Sequence, residues 1–373
     1  MEKREKTKGR AGRIIVRILL RTLLVIFTVI LLLVGGLYMI CDLIFNGPSP
    51  AARDVLTMSM LESSGMKWFP AIFIGEDTVA DIQANISATL PDEISKSDQV
   101  VIQDGSSNAV TEEWKDHPDG IRIENVYGDT YNAYVMLIRD PSAVYMATSS
   151  DPFTKDVPGT RIHQQILTEG AIAAINAGAF FDNGTSSSEV GSVPEGLVIA
   201  GGKVMWDSGS APQEGFVGFN QDNILVVAKT MTASKAMELG IRDGCCFGPV
   251  LIMDGNVNVA AYNENSGYNP RTAIGQRADG TILFVCIDGR QAGSLGASYG
   301  DIIDIMIEYG AVNACNLDGG SSTVMLYKDT YGLYTDEDKP WGNDIAMINN
   351  YSLLQKEPRR MPTFFMVRPS SED

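Results

Sequence analysis

Residues Leu23 to Ile40 are apolar almost without interruption, broken only by Thr28, Gly35 and Gly36. At a rise of 1.5 Å per residue, about 18–20 such residues cross the hydrocarbon core of a bilayer as a helix. The run is longer than the roughly 7–15-residue apolar region of a cleaved signal peptide. It therefore reads as an uncleaved signal anchor, although Gly47-Pro48-Ser49-Pro50-Ala51-Ala52 leaves a cleavage site open as the alternative. A buried core helix would need a covering surface, and only a charged tail lies upstream. That tail, residues 1–21, carries eight Lys/Arg against Glu2 and Glu5. A positive flank ahead of the apolar run predicts a cytoplasmic N-terminus and an extracytoplasmic body.

The tail also conceals the charge of the rest. The whole chain is −17, and removing a local +6 leaves −23 on the body. Phosphate polymers bind positive surfaces, so nucleic acid is excluded as a partner. The five cysteines are Cys41, Cys245, Cys246, Cys286 and Cys315. Neighbouring cysteines rarely bond to each other, and Cys286 and Cys315 lie in apolar runs as small hydrophobes, with their pairing left open. The only histidines are His117 and His163, and no Cys/His spacing predicts a metal. His163 stands ahead of a helix without a partner motif. No cofactor is expected.

Four units follow: a basic tail over 1–21, a transmembrane signal anchor over 22–44, a stalk or linker with short helices over 45–118, and a domain over 119–373. Within the stalk, Arg53 to Ile74 reads as a short helix near the bilayer, Glu76 to Asp81 as a helix start, and Ser95 to Asp119 as a polar linker. From Ile121 the pattern turns to strands, at Ile121–Val126, Tyr131–Ile138, Leu197–Ile199, Phe216–Phe219, Ile224–Ala228, Val250–Met253 and Ile282–Ile287. Helices are fewer: Gln164–Glu169, Thr232–Leu239 and Tyr299–Tyr309. This order predicts an α+β class, a strand-rich mixed or antiparallel sheet domain with a few helices, preceded by one N-terminal transmembrane helix.

Polar chemistry concentrates at strand ends. The stretch Asn316-Leu317-Asp318-Gly319-Gly320-Ser321-Ser322-Thr323 follows a helix that stops at Gly310. Strand alternation puts Asn316 and Asp318 on one side, the glycines allow close backbone approach, and the hydroxyls and N–H groups of the turn suit an anion. Asp318, a carboxylate beside two glycines, is the first candidate. Three further stretches have the same character: Asn176-Ala177-Gly178-Ala179-Phe180 (with Asp182-Asn183-Gly184 as a following turn), Pro270-Arg271-Thr272-Ala273-Ile274-Gly275, and Asp288-Gly289-Arg290. Rigid strands holding such loops are common sites of function.

Taken in order, these pieces resemble the phosphodiester glycosidase family. Its pattern runs N-[AG]-G-[GF]-F, a Gly-containing strand with a D-G-K-like turn (here Gly196 to Lys203), P-R-T-A-[IL]-G, D-G-[RQ], and an acidic helix leading into N-L-D-G-G-[GS]-S. The resemblance covers roughly residues 119–350. Ala179 stands where many relatives have glycine, Gly201-Gly202-Lys203 replaces D-G-K, and Asp301 stands where glutamate is usual. The resemblance implies an extracytoplasmic hydrolase that cleaves a sugar from a phosphodiester, in a surface glycopolymer or its precursor. The alternative is a non-catalytic protein that binds anionic glycans during envelope or exopolysaccharide assembly. Such a leaving group is a weak base, so cleavage needs a positive clamp and a carboxylate more than a strong acid. Arg271 and Arg290 are the expected clamp, and Asp318, Asp288 and Asp301 the expected carboxylates. Asn176, Gly178, Asn316, Gly319, Gly320 and Ser321 are the expected sugar and phosphate contacts. A serine nucleophile is disfavoured, because no G-x-S-x-G elbow exists and bases are scarce.

Overall fold

The computed structural model describes residues 2–49, 53, 56–57, 60–61, 66–84, 90, 92–102, 112–181, 191–209, 215–263, 266–350 and 357–369. The Asp182-Asn183-Gly184 turn and part of the expected linker lie outside the described residues. Helix α1 (Glu2–Phe45) contains the apolar run, and its Leu19–Phe45 portion is long and apolar enough to cross a membrane. Helix α2 (Phe69–Ala84) follows, broken at Gly75, whose φ of 77° is outside helical space.

Three sheets build the domain. The first has seven strands in the order β1 (Ile121–Tyr127), β2 (Asn132–Ile138), β14 (Ile282–Ile287), β13 (Arg271–Arg277), β15 (Ala311–Leu317), β11 (Val250–Met253) and β12 (Asn256–Val257). The second runs β7 (Lys203–Asp207), β6 (Leu197–Ala200), β10 (Ile241–Cys246), β8 (Phe216–Asn220) and β9 (Leu225–Ala228). The third runs β17 (Ile345–Met347), β16 (Met325–Lys328), β5 (Ala173–Asn176), β19 (Thr363–Val367) and β3 (Val144–Thr148). A two-stranded ribbon pairs β18 (Arg360–Met361) with β4 (Thr160–Arg161). Each of these pairings is antiparallel, as in β13 with β14 and β15, or β5 with β16 and β19. The class is α+β, as the strand-rich order predicts.

The inner faces of the three sheets share one core, in which Phe284, Leu317, Phe219, Val217, Ile175 and Phe365 meet. Each outer face is closed by a helix. Helix α6 (Tyr299–Glu308) covers the first sheet with Ile302, Ile303 and Met306, α3 (Ile162–Glu169) covers the third with Ile162 and Ile166, and α4 (Ala233–Glu238) covers the second with Ala236. Burial on both faces explains why β14 reads Ile-Leu-Phe-Val-Cys-Ile: Phe284 and Cys286 enter the core while Leu283, Val285 and Ile287 pack under α6. Fully burying each such side chain stabilises the fold by about 1.5–3 kcal/mol. The Ile-Arg-Asp-Gly-Cys-Cys of β10 contains an Asp-Gly pair that ordinarily marks a turn. Here Gly244 is a strand residue, since a Cβ would stand 2.7 Å from the Phe216 ring and 2.9 Å from Gly218 Cα. All five cysteines are buried free thiols. His163 stacks on Trp341 with ring centres 4.4 Å apart.

The segment expected as a linker joins the domain earlier than its polarity implied. Leu90 enters the shared core, Ile94 bridges Ala228, and Ser95 N–H donates to Val227 C=O at 2.9 Å. Lys229 N–H donates to Glu93 C=O at 2.9 Å, and Val101 N–H to Ala278 C=O at 2.8 Å. Main-chain pairing to the β9 edge is indifferent to side-chain polarity, so composition does not register it.

One side chain joins the third sheet to the first. Asn176, at the end of β5 and 0 % exposed, donates from Nδ2 to the Asp318 carbonyl. Its Oδ1 accepts from Thr272 Oγ1 at 2.8 Å and Val324 N–H at 3.2 Å. Asn176→Ala should therefore leave three buried polar groups unpaired, at about 1–3 kcal/mol each. We expect urea unfolding of the detergent-solubilised chain to show a loss of about 3 kcal/mol or more. A loss below about 1 kcal/mol, the net worth of one ordinary hydrogen bond, would contradict the role of a joint.

Candidate active site

Antiparallel register assembles the site. Because β13 pairs with both β14 and β15, its first residues lie beside their last: Arg271 opposite Ile287, and Thr272 opposite Leu317. Pro270, Asp288-Gly289-Arg290 and Asp318-Gly319-Gly320-Ser321 therefore meet at one sheet edge. Asn176 brings β5 to the same place, and Asp318 N–H donates to the Ala177 carbonyl at 3.0 Å. Cys315 and Leu317 enter the core, so alternation sends Asn316 to the opposite face, where its Nδ2 donates to the Gly248 carbonyl at 2.8 Å.

The Asp318 main chain is pinned on both sides, and the residue itself is partly exposed. The chain then turns through a single 3-10 turn, Gly320–Ser322. Gly320 has a φ of 60°, and a Cβ there would stand 3.4 Å from a terminal nitrogen of Arg290, so glycine lets this guanidinium lie across the turn. Arg290 also has a positive φ, 58°, and donates from a terminal nitrogen to Asn269 Oδ1 at 2.9 Å. A second guanidinium comes from the far end of the chain. Arg359 donates to Ser321 Oγ at 3.3 Å and stacks over Phe180 at 4.7 Å.

Several expected site residues take other positions. Arg271 is 2 % exposed; its Nε donates to the Ala297 carbonyl at 3.0 Å and a terminal nitrogen to the Ser266 and Gly267 carbonyls at 3.0 and 3.2 Å. Its guanidinium also packs 4.3 Å over the Tyr299 ring. It organises the loops around the edge, whereas Arg359 reaches the turn at Ser321. Asp301 is the third residue of α6 and closes a capping box, accepting from Ser298 N–H at 2.8 Å and Ser298 Oγ at 2.6 Å. Gly178 permits sheet packing, since a Cβ would stand 2.8 Å from Cys245 Cβ. At Gly319 a Cβ would meet the Pro270 carbonyl at 2.7 Å. The turn's backbone donors, expected to hold an anion, bond internally at three positions: Gly320 N–H to Pro270 C=O, Ser322 N–H to Gly319 C=O, and Thr323 N–H to Gly320 C=O.

Asp288 is 2 % exposed. Its Oδ2 accepts from Tyr134 Oη at 3.1 Å and Asn350 Nδ2 at 3.0 Å, while Asn350 Nδ2 also donates to Tyr134 Oη at 2.7 Å. Beside it, Asn349 Oδ1 accepts from Met325 N–H at 2.8 Å. Tyr134, Asn349, Asn350 and Arg359 were not anticipated from sequence. The Asn-Asn pair and the Arg-Arg pair before β19 were the available signals, but neither says which sheet edge it reaches. Asp288 Oδ1, Asn316 Oδ1, Ser322 Oγ and Thr323 Oγ1 are buried without a hydrogen-bond partner among the described residues. Buried polar atoms are ordinarily paired, so these four make the edge a candidate site, although others such as Ser149 Oγ, His163 Nδ1 and Trp206 Nε1 lie elsewhere. Among the described residues no group of three or more His, Cys, Asp and Glu stands together to hold a metal.

Burial raises the Asp288 carboxyl above its ordinary 3.8, against the pull of hydrogen bonds from Asn350 and Tyr134. The folded state thus holds this proton more tightly than the unfolded chain, and the group's contribution falls as pH rises from 3.8 through the folded value. Asp288→Asn should remove that loss. The stability difference, variant minus wild type, should grow with pH across this window and then level off, as read by urea unfolding at a series of pH values. A difference independent of pH would show that Asp288 titrates normally.

Comparison with known proteins agrees with the geometry. The phosphodiester glycosidase family model matches residues 169–368, which include β5, the β13–β15 edge and Arg359. The SPbeta prophage-derived protein YomE of Bacillus subtilis (strain 168) is 28% identical over 220 residues, 56% of this chain and 33% of YomE. The chain thus spans about a third of that curated relative's length. Among solved structures, the zebrafish N-acetylglucosamine-1-phosphodiester alpha-N-acetylglucosaminidase catalytic domain, auto-inhibited by its pro-peptide, is 19% identical with a TM-score of 0.52. That likeness covers 67% of this chain and 82% of the zebrafish one, and it concerns the fold. With the family model matching more than half of its length, over the strands that build this edge, the chain belongs to the phosphodiester glycosidase family.

Proposed function

We propose that the chain is a membrane-anchored hydrolase that cleaves a sugar-1-phosphodiester at the anomeric carbon, in an extracytoplasmic glycopolymer or its precursor. The observation that carries this reading is Asp318 on a glycine turn flanked by two guanidiniums, Arg290 across Gly320 and Arg359 on Ser321. On a body of net −23, an anionic substrate is repelled at long range and must be captured by local positive charge. Planar guanidiniums suit phosphate oxygens, and a carboxylate suits the oxocarbenium-like centre one bond away. Water forms the new bond to the anomeric carbon. The carbon–oxygen bond to phosphorus's oxygen breaks, and its electron pair leaves on the phosphate monoester. Asp288, held by Tyr134 and Asn350, is the second carboxyl of the site. The basic tail ahead of α1 supports an extracytoplasmic site.

The test is turnover of a glycosyl-1-phosphodiester by the detergent-solubilised chain, with free sugar and phosphate monoester appearing in equal amounts. Saturable binding of the anionic glycan without turnover would favour the non-catalytic binder. Asp318→Asn keeps shape and removes charge. It should lower kcat/KM by about 10³-fold or more, roughly 4 kcal/mol of transition-state stabilisation, with unfolding unchanged. Near-normal turnover by this variant would remove Asp318 from the mechanism.

The two guanidiniums are assigned to phosphate rather than sugar. Arg290→Ala and Arg359→Ala should each weaken sugar-phosphate binding about tenfold or more, about 1.4 kcal/mol, and leave the neutral sugar nearly unaffected. Arg→Lys should recover only part, because an ammonium retains charge and loses the paired planar donors. Calorimetry with both ligands checks this, and equal losses for sugar and sugar phosphate would make these arginines structural.

A further inference from the structure

The segment between the span and the domain carries an apolar face that the hydrolase reading does not use. Helix α2 begins Phe-Pro-Ala-Ile-Phe-Ile, breaks at Gly75, and continues with Glu76 and Asp77. Its first turn lies back along α1. The Phe73 ring stacks on Phe45 at 5.0 Å and meets Tyr38 at 5.4 Å, while Phe69 lies 6.3 Å from Phe45 and 5.4 Å from Phe73. Phe45 is thereby 2 % exposed. The opposite side of the segment is uncovered, with Trp68 63 % and Ile72 59 % exposed.

Depth follows from the contact with Tyr38. Arg21 and Asp42 bracket the apolar run, and the residues between them span about 30 Å as a helix, the thickness of a hydrocarbon core. Tyr38 stands four positions inside Asp42, about 6 Å below the outer boundary at 1.5 Å per residue. The Phe73 ring also stacks on Phe45, three positions outside Asp42, so it lies between these two levels, at the boundary itself.

We infer that residues 66–74 form a wedge seated in the outer acyl–headgroup boundary of the bilayer that α1 crosses. The inference rests on reading α1 as a membrane span. Trp68, edge-on to Phe69, lies at the level where indoles concentrate because they join an apolar body to one polar N–H. Exposed Lys67 keeps its ammonium in water, and Glu76 and Asp77 after the Gly75 break return the chain to solvent. From the end of α2 at Ala84 only residues 85–89 precede Leu90, which is already in the domain core. The helical stretch 76–84 and this connection together limit how far the domain can stand from the wedge.

The test uses the full chain in phospholipid nanodiscs, with and without lipids brominated near the headgroup end of the acyl chain. The Trp68 signal is the difference between wild type and Trp68→Phe. The span signal is the gain from Tyr38→Trp in the Trp68→Phe background. Both signals should be blue-shifted, and both should lose most of their intensity to brominated lipid. Quenching of the span signal with an unquenched Trp68 signal would overturn the wedge and leave the anchor standing. Quenching of neither would overturn the anchor and the wedge with it. A Trp68 signal that becomes unquenched as more chains are loaded per disc would assign this face to a second copy of the chain instead.

Discussion

A single buried amide sets the frame of the site. Asn176 can accept two hydrogen bonds and donate from its amide nitrogen, and the ends of β13, β15 and β16 each supply one of its partners: Thr272, Asp318 and Val324. An apolar residue of the same size would leave those groups buried and unpaired, so the sheets would have to separate or admit water. The amide fixes the main chain of Asp318, not its side chain. The carboxylate therefore stands on a rigid base at a solvent-facing edge, which is how strand-built sites hold position while loops provide access.

The arginines around this edge divide by what faces them. Arg271 faces three carbonyls and the Tyr299 ring in a buried setting, where its guanidinium ties loops together. Arg290 lies across Gly320, where no Cβ intervenes, and Arg359, only 9 % exposed, reaches the Ser321 hydroxyl. On a strongly acidic body, the proposed phosphate role would require capture by contact rather than steering from a distance.

On the inference that α1 spans a bilayer, residues 66–74 meet a different solvent. In water the uncovered Trp68 and Ile72 beside an apolar helix would be a liability, whereas at a bilayer boundary they are in their preferred medium. Residues 90–95 join the domain through main-chain hydrogen bonds to β9 and through Leu90 in the shared core.

Much of the fold was legible in the sequence. Alternating and continuous apolar runs located β1, β2, β6, β8, β9, β11 and β14, and cap residues located α4 and α6, because the periods of strands and helices are local properties. The long apolar helix was legible for the same reason: Leu23 to Ile40 is a nearly unbroken apolar run of eighteen positions. The motifs at strand ends placed Asp318, Asp288 and Arg290 at one edge, since antiparallel pairing of neighbouring strands leaves little choice. What required the tertiary structure was contact between segments far apart in the chain. Arg359 meets Ser321, Tyr134 and Asn350 meet Asp288, and Leu90 enters a core built mostly beyond residue 120. Residue type alone also did not tell a clamp from a brace. Arg271 and Arg290 are both arginines beside a glycine or proline at a strand end, and only the positions of the Ser266, Gly267 and Ala297 carbonyls separate them. Sequence determined where strands, helices and the membrane span begin, because those depend on neighbours along the chain. Packing decided which polar groups remain for chemistry, because a hydrogen bond is assigned by distance in space.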